Sequence, residues 1–270
     1  MTFQNQIVWI TGASSGIGRA MSLEFAKNGA TVAVSARRRD ELEKLVTEIE
    51  SSGGKAKAFF CDILDEISIK NCLDQKNCLD QIIDTFGKLD VAVANAGFGV
   101  FGKMEDLTQE EWQRQLQGNV IGLALTAKYA LPHLKQTRGR LALVGSVGAY
   151  LPNPYVGAYG ASKAAVNSIG LTYQVELQDT GVSCTTLHPG FVKSEIARID
   201  NEGVWHPDRI DPRPEKMMWP TEKAAKVMVN AIWKRKRNYI FTAHGKFFIW
   251  IQRLFPVLMR KMMAKGPKPS

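Results

Sequence analysis

The sequence predicts an α/β protein, a doubly wound parallel sheet of about seven strands with helices on both faces, and three observations carry that prediction. An apolar run, Ile7 to Ile10, passes through a glycine-rich turn, Thr11 to Gly18, into a helical pattern that reaches about Lys27. Further short apolar strands, Thr31–Ala36, Val91–Ala94, Leu141–Gly145 and Val182–Leu187, alternate with helical patterns, as βα units do in a parallel sheet. With 270 residues and 45% hydrophobic content, the chain can bury a sizeable core. One domain over residues 1–244 accommodates these elements, and residues 245–270 form a basic amphipathic tail.

Before the first strand, MTFQNQ is polar and shows no basic, long apolar or cleavage region, so a cytoplasmic protein is expected. Cys61, Cys72, Cys78 and Cys184 have no CxxC spacing, which favours reduced thiols. His133, His188, His206 and His244 are scattered without an HExxH pair, and no metal site is expected.

The glycine turn is the first functional signal. Gly12, Gly16 and Gly18 allow a tight turn and close backbone approach, while Ser14, Ser15 and Ile17 stand at a helix start whose unpaired N–H groups suit a pyrophosphate. A glycine motif means little alone, but this one has a strand before it, a helix after it and a second strand one unit later. At the end of that second strand an acidic residue would bind the ribose hydroxyl of NAD. The chain reads Ala36-Arg37-Arg38-Arg39 instead. Guanidinium groups pair with a 2′-phosphate, so NADP(H) is expected over NAD(H), with Arg37 the first candidate and Arg38 the next. The plainer alternative is a solvated helix start.

The second signal is Ser146 to Lys163, which holds a hydroxyl, a phenol and an ammonium close together. Pro152 and Pro154 fix a turn, and Tyr155 to about Gln178 has helical spacing, so Tyr159 and Lys163 share a face. An ammonium there is expected to lower the phenol pKa from about 10 and make it an acid or base near neutrality. Ser146 follows the strand ending at Gly145, where carboxyl ends of strands face a ligand crevice. Tyr-x-x-x-Lys is also a common solvated helix pair, and the glycine turn is what sets this one apart.

Taken together, these motifs resemble those of the short-chain dehydrogenase/reductase family, ordinary in length and matching over about residues 5–245. The family's TGxxxGxG corresponds to Thr11–Gly18, its acidic residue after the third strand to Asp62, and its NNAG to Ala94-Asn95-Ala96-Gly97, with Ala94 in place of the first Asn. Asn119, Ser146, Tyr159 and Lys163 match its catalytic tetrad, and Pro189-Gly190-Phe191-Val192-Lys193-Ser194 resembles PGxVxT with Ser for Thr. The resemblance implies a Rossmann-type fold and an NADP(H)-preferring oxidoreductase. Asp62 and Ile63 would meet the adenine, while Asn95, Ala96 and Gly97 would support the strand end beside the cofactor. Pro189, Gly190, Val192 and Ser194 would hold the nicotinamide side. Tyr159 would exchange the proton, Ser146 orient the oxygen and Lys163 bind the nicotinamide ribose. The Asn119 main chain would bend a helix and hold a water. Assembly as a homo-oligomer, a dimer or tetramer through the helices near Asn119 and Tyr159, is also implied.

Helical patterns are expected around Glu110–Gln117, Val120–Leu134 and from a Thr221 cap to about Arg237, with a last strand at Tyr239–Thr242. Residues 195–220, with Trp205, Trp219 and four prolines, read as a substrate lid. Phe98, Phe101, Tyr150 and Phe191 join these tryptophans in suggesting an apolar pocket for a small carbonyl or alcohol substrate. A hexapeptide occurs twice, Lys70–Gln75 and Lys76–Gln81, and a longer or irregular outer helix without functional consequence is expected. From Lys223 onward there are 12 Lys/Arg and no Asp/Glu, which accounts for the net charge of +9. In the tail, Lys246, Arg253 and Arg260 are seven apart, roughly one helical stripe among aromatic and aliphatic residues, with a kink expected at Pro256. Such a segment can lie on an anionic membrane or cover a pocket or subunit interface; its core-like interleaving argues against nucleic acid. The expected activity is reversible NADP(H)-dependent carbonyl reduction. A 3-oxoacyl-thioester reductase, a non-turning-over NADP(H) sensor and a peripheral membrane adaptor are the alternatives.

Overall fold

The computed structural model describes residues 1–65, 68 and 78–264. The strands are β1 (Ile7–Thr11), β2 (Thr31–Ala36), β3 (Lys55–Phe60), β4 (Val91–Ala94), β5 (Arg140–Val144), β6 (Ser183–His188) and β7 (Asn238–Ile240). All pair in parallel in the order β3-β2-β1-β4-β5-β6-β7. The helices are α1 (Gly16–Lys27), α2 (Arg39–Ser51), α3 (Cys78–Phe86), α4 (Gln109–Leu116), α5 (Leu123–Thr137), α6 (Gly157–Glu176), α7 (Thr221–Trp233), α8 (Ala243–Leu254) and α9 (Pro256–Ala264).

The period of two along each strand divides the core between the faces. In β1 and β4, Val8, Ile10, Val91 and Val93 pack with Met21 and Phe25 of α1, Leu42 of α2 and Met228 of α7. Trp9, Ala92 and Ala94 point the other way, toward Ile82 of α3, Ala127 of α5 and Val166 of α6. The doubly wound sheet is therefore as expected. Strand order reverses between β1 and β4, which opens a crevice at their carboxyl ends. Edge strand β3 was not singled out by apolar spacing because its KAKAFF sequence keeps lysines on the surface.

Several boundaries differ from expectation. The helix carrying Tyr159 starts at Gly157 rather than Tyr155, because Tyr155 has φ 63° and cannot join a right-handed helix. The Tyr155 carbonyl instead accepts from Gly102 N at 2.9 Å. Helix α7 ends at Trp233, and Arg235 at φ 51° prevents continuation to Arg237. Thr221 is its first residue and donates its hydroxyl to Lys193 O at 2.9 Å rather than capping the helix. Strand β7 pairs over Asn238–Ile240 and stops before Phe241 and Thr242. The tail is two helices, with the residue before Pro256 outside helical geometry, so Arg260 does not continue the stripe of Lys246 and Arg253. The repeat at 70–81 lies mostly outside the described residues, apart from Cys78 to Gln81 in α3.

Candidate active site

The crevice floor is the β1–α1 turn locked to the end of β4. Gly12 and Gly16 have φ of 67° and 53°, conformations that glycine adopts without penalty. A Cβ on Gly12 would stand 2.7 Å from the Ala96 main chain. Asn95 donates from Nδ2 to the carbonyls of Thr11 and Gly12 at 2.9 and 3.2 Å, and Thr11 Oγ1 accepts from the amides of Asn95 and Ala96. Asn95, Ala96, Gly97 and the glycine turn thus form one rigid surface. Helix α1 has no acidic residue in its first turn, and Ser15 makes no side-chain cap, so its first N–H groups point to the crevice.

The three arginines after β2 go separate ways. Arg38 donates to Ser14 Oγ at 3.2 Å and lies 3.6 Å from Glu195 Oε2. Arg39 stacks over the Phe60 ring at 4.7 Å. Arg37 is exposed and makes no ion pair among the described residues. After β3, Asp62 Oδ1 accepts from Leu64 N at 3.0 Å, which shapes the turn holding Ile63.

Ser146, Tyr159, Lys163 and Asn119 converge on the other side. Ser146 lies two residues beyond β5 and caps a short 3-10 turn, where its Oγ accepts from Gly148 N at 3.0 Å. Its hydroxyl is close enough to the Tyr159 phenol to draw the phenol pKa partly back down. Gly148 leaves room for this pair, since a Cβ there would approach Ser146 Oγ and the Tyr159 ring at 3.3 and 3.5 Å. One turn along α6, the Lys163 ammonium donates to Val144 O at 2.9 Å and lies 5.8 Å from the Tyr159 ring centre. Asn119 is buried in a π-helical segment, Gln117–Gly122, between α4 and α5. Its amide accepts from Phe98 N at 3.0 Å and donates to Phe98 O and Ser162 Oγ at 2.9 and 3.0 Å.

The electrostatics correct one expectation. Burial raises the Tyr159 pKa above its usual 10, with the Ser146 hydrogen bond and the Arg213 charge offsetting only part of it. Lys163 does not depress it; burial instead lowers the Lys163 pKa itself to about 8. Dehydration of both groups outweighs their mutual influence. The phenol therefore holds its proton at neutral pH.

Residues 189–220 close the crevice opposite the glycine turn. Gly16 faces Ser194 across it, at 3.4 Å from a Cβ position. A cleft of about 620 Å³ lies between them, lined by Ser14, Ser15, Gly16, Ser194, Glu195 and Arg213 among others. Small side chains, unpaired helix N–H groups and guanidinium groups fit the diphosphate of a dinucleotide. Among the described residues no cluster of His, Cys, Asp and Glu suits a metal ion.

The family profile described as short chain dehydrogenase matches residues 6–204. The chain belongs to the short-chain dehydrogenase family. Its relatives include an uncharacterized oxidoreductase of Thermotoga maritima, 31% identical over 81% of each chain. An 11-beta-hydroxysteroid dehydrogenase A of Sesamum indicum is 32% identical over 72% of this chain, which spans only 54% of that relative's length. Among solved structures, an alcohol dehydrogenase of Thermococcus sibiricus complexed with 5-hydroxy-NADP superposes with a TM-score of 0.74 at 26% identity, covering 88% of this chain and 97% of the other. The family's chemistry is NAD(P)(H)-dependent oxidoreduction between carbonyl and alcohol groups.

Against that chemistry, the aromatic side chains of this short-chain dehydrogenase divide. Phe101 lies tilted 6.3 Å from Tyr159, beside the crevice. Tyr150 donates its hydroxyl to Asn167 Oδ1 at 2.7 Å and packs its ring edge-on against His188. Trp219 pairs with Val192 in a β-bridge and packs on Phe241. Phe191 stacks on His244 at 5.3 Å. Three of the rings expected at an apolar pocket thus also have partners in the body of the protein.

Three residues at the site escaped sequence reading. Gln115, buried on α4, accepts from Val100 N at 2.6 Å and donates to Phe98 O at 3.1 Å, so it clamps the 98–100 segment alongside Asn119. Its helical spacing of four from Asn119 was the available signal. Arg213 donates to the carbonyls of Val192 and Ser194 and to Ser194 Oγ while held by Asp211, and nothing in the proline-rich loop marked it out. His188 lies fully buried behind Ser146, with Nδ1 3.3 Å from the Ser146 carbonyl. Burial lowers its pKa from 6.5 to about 4. The unfolded chain then binds the extra proton between these values, so His188 contributes stability that is complete above pH 6.5 and lost as pH falls toward 4. Melting temperatures across that range should drop with acidity, and His188→Gln should flatten the slope; an identical slope in the variant would assign the acid sensitivity elsewhere.

Proposed function

We propose that this chain is an NADP(H)-dependent reductase of small apolar carbonyl compounds, working reversibly with the corresponding secondary alcohols. The observation that carries this reading is the convergence of Ser146, Tyr159 and buried Lys163 around Gly148 and the end of β5. When bound, the dinucleotide supplies the hydride to the carbonyl carbon. Tyr159 gives its phenolic proton to the carbonyl oxygen. Ser146, aimed by the Gly148 amide, donates to the same oxygen and polarises the bond. Lys163 would bind the nicotinamide ribose, while Asn119 keeps the π-helical bend through which a water would resupply the proton. The glycine turn would hold the diphosphate, Asp62 and Ile63 the adenine, and Pro189, Gly190, Val192 and Ser194 the nicotinamide side. Residues 195–220 serve as the substrate lid.

Arg37 and Arg38 support the NADP(H) preference, as does the nucleotide named with the Thermococcus structure. The steroid dehydrogenase name of the sesame relative and the placement of Phe101 beside Tyr159 support an apolar substrate. Leu171 and Val175, exposed on α6, suit the helix-mediated homo-oligomer. The test is reductase turnover with NADPH and NADH across steroid, retinoid, aliphatic and quinone carbonyls. Arg37→Asp should weaken NADPH use by about 10–100-fold, the worth of one hydrogen bond to a charged group, and leave NADH use intact or improved. Unchanged selectivity in that variant would remove Arg37 from the phosphate site.

A further inference from the structure

The tail helices carry an exposed apolar surface that the catalytic reading does not use. On α8, Phe247, Trp250 and Leu254 follow the spacing i, i+3, i+7 and form one face. On α9, Phe255 just before the helix, Leu258 and Met262 repeat that spacing. These side chains and Val257 are each between 42 and 57% exposed. Trp250 and Phe255 meet edge-on with ring centres 6.1 Å apart, which joins the two faces into one. So large a contiguous apolar surface is unusual unless something covers it.

The opposite sides of these helices are already committed. Gly245, Ile251 and Met259 are buried, and His244 accepts from Phe191 N at 3.2 Å while stacking on its ring. The apolar face is therefore fixed outward. Lys246 and Arg253 flank it on α8, and Arg260 and Lys261 on α9, all exposed and without an ion pair to a carboxylate among the described residues. No acidic residue occurs from Lys223 to the end of the chain.

We infer that the α8–α9 face is a docking surface for an anionic phospholipid bilayer. Aromatic and aliphatic side chains suit the interfacial region, and the basic rim suits lipid phosphates. Charge decides against a second copy as the occupant, since face-to-face pairing would set like charges together with no carboxylate to neutralise them. Among the described residues no helix is long and apolar enough to cross a membrane, so the helices lie on the surface.

The test is flotation of the full-length protein with vesicles of phosphatidylcholine alone or mixed with phosphatidylglycerol, alongside molar-mass measurement in solution. The protein should float with the mixed vesicles, bind phosphatidylcholine alone far less, and dissociate as salt rises. Neutralising one rim residue, as in Arg253→Gln, should weaken binding roughly fivefold. Trp250→Glu with Leu258→Glu, both at exposed positions, should abolish flotation without changing the molar mass or the melting temperature. Failure of the wild type to float would overturn the inference. So would equal binding to both vesicle types, or a fall in molar mass in the double variant, which would make this face a contact between copies.

Discussion

Replacing Tyr159 with Phe should lower the turnover of carbonyl reduction by about 10²–10⁴-fold, the usual contribution of a positioned general acid, and leave NADPH affinity unchanged. The substitution deletes one oxygen. The ring keeps its place beside Phe101, and Ser146 retains its bond from the Gly148 amide, so the crevice keeps its shape. Comparing kcat with the dissociation constant for NADPH separates loss of chemistry from loss of binding. Residual activity near the wild-type level would mean that another group supplies the proton. The same geometry sets the pH dependence. With the phenol pKa raised by burial, reduction should hold through neutral pH and decline in alkali as the proton is lost.

Gly18→Ala should have the largest effect on the binding of the dinucleotide. An added Cβ would lie 2.4 Å from both the Gly12 carbonyl oxygen and Asn95 Nδ2. Neither atom can withdraw cheaply, because Asn95 is tied to the Thr11 and Gly12 carbonyls and those carbonyls belong to the turn itself. Overpacking of this kind costs about 1–3 kcal/mol, and for a chain of this size each kcal/mol lowers Tm by roughly 2–4 °C. Relief of the clash must deform the turn, so NADPH binding should weaken on the order of tenfold or more. Calorimetric titration at a temperature where the variant is folded checks this. Unchanged affinity would place the diphosphate away from the glycine turn.

The parts of this structure that were legible in the sequence are those fixed by local chemistry. The glycine turn, the β1–β2 spacing and the shared face of Tyr159 and Lys163 follow from backbone sterics and helical period, both of which act over a few residues. Boundaries were less legible where one residue adopts an unusual conformation, as Tyr155 and Arg235 do at positive φ. Long-range partnership was least legible. Nothing in the spacing of Tyr150 shows that Asn167 and His188 share its hydroxyl. Nor does the spacing of Trp219 show that it pairs with Val192. The direction of the Tyr159 shift also depended on tertiary structure, because spacing reveals the nearby lysine but not how completely the pair is removed from water. Arg213 needed the folded loop to bring it onto Ser194.

We propose that this crevice moves a hydride between NADPH and an apolar carbonyl while Tyr159 supplies the proton. It is tested most directly with NADPH deuterated at nicotinamide C4, each face in turn, incubated with purified protein and the carbonyl panel. Deuterium is expected on the carbinol carbon of the alcohol from one face only, with the wild type and not with Tyr159→Phe. Tight NADPH binding with no label transfer to any carbonyl, or equal transfer by the variant, would contradict it.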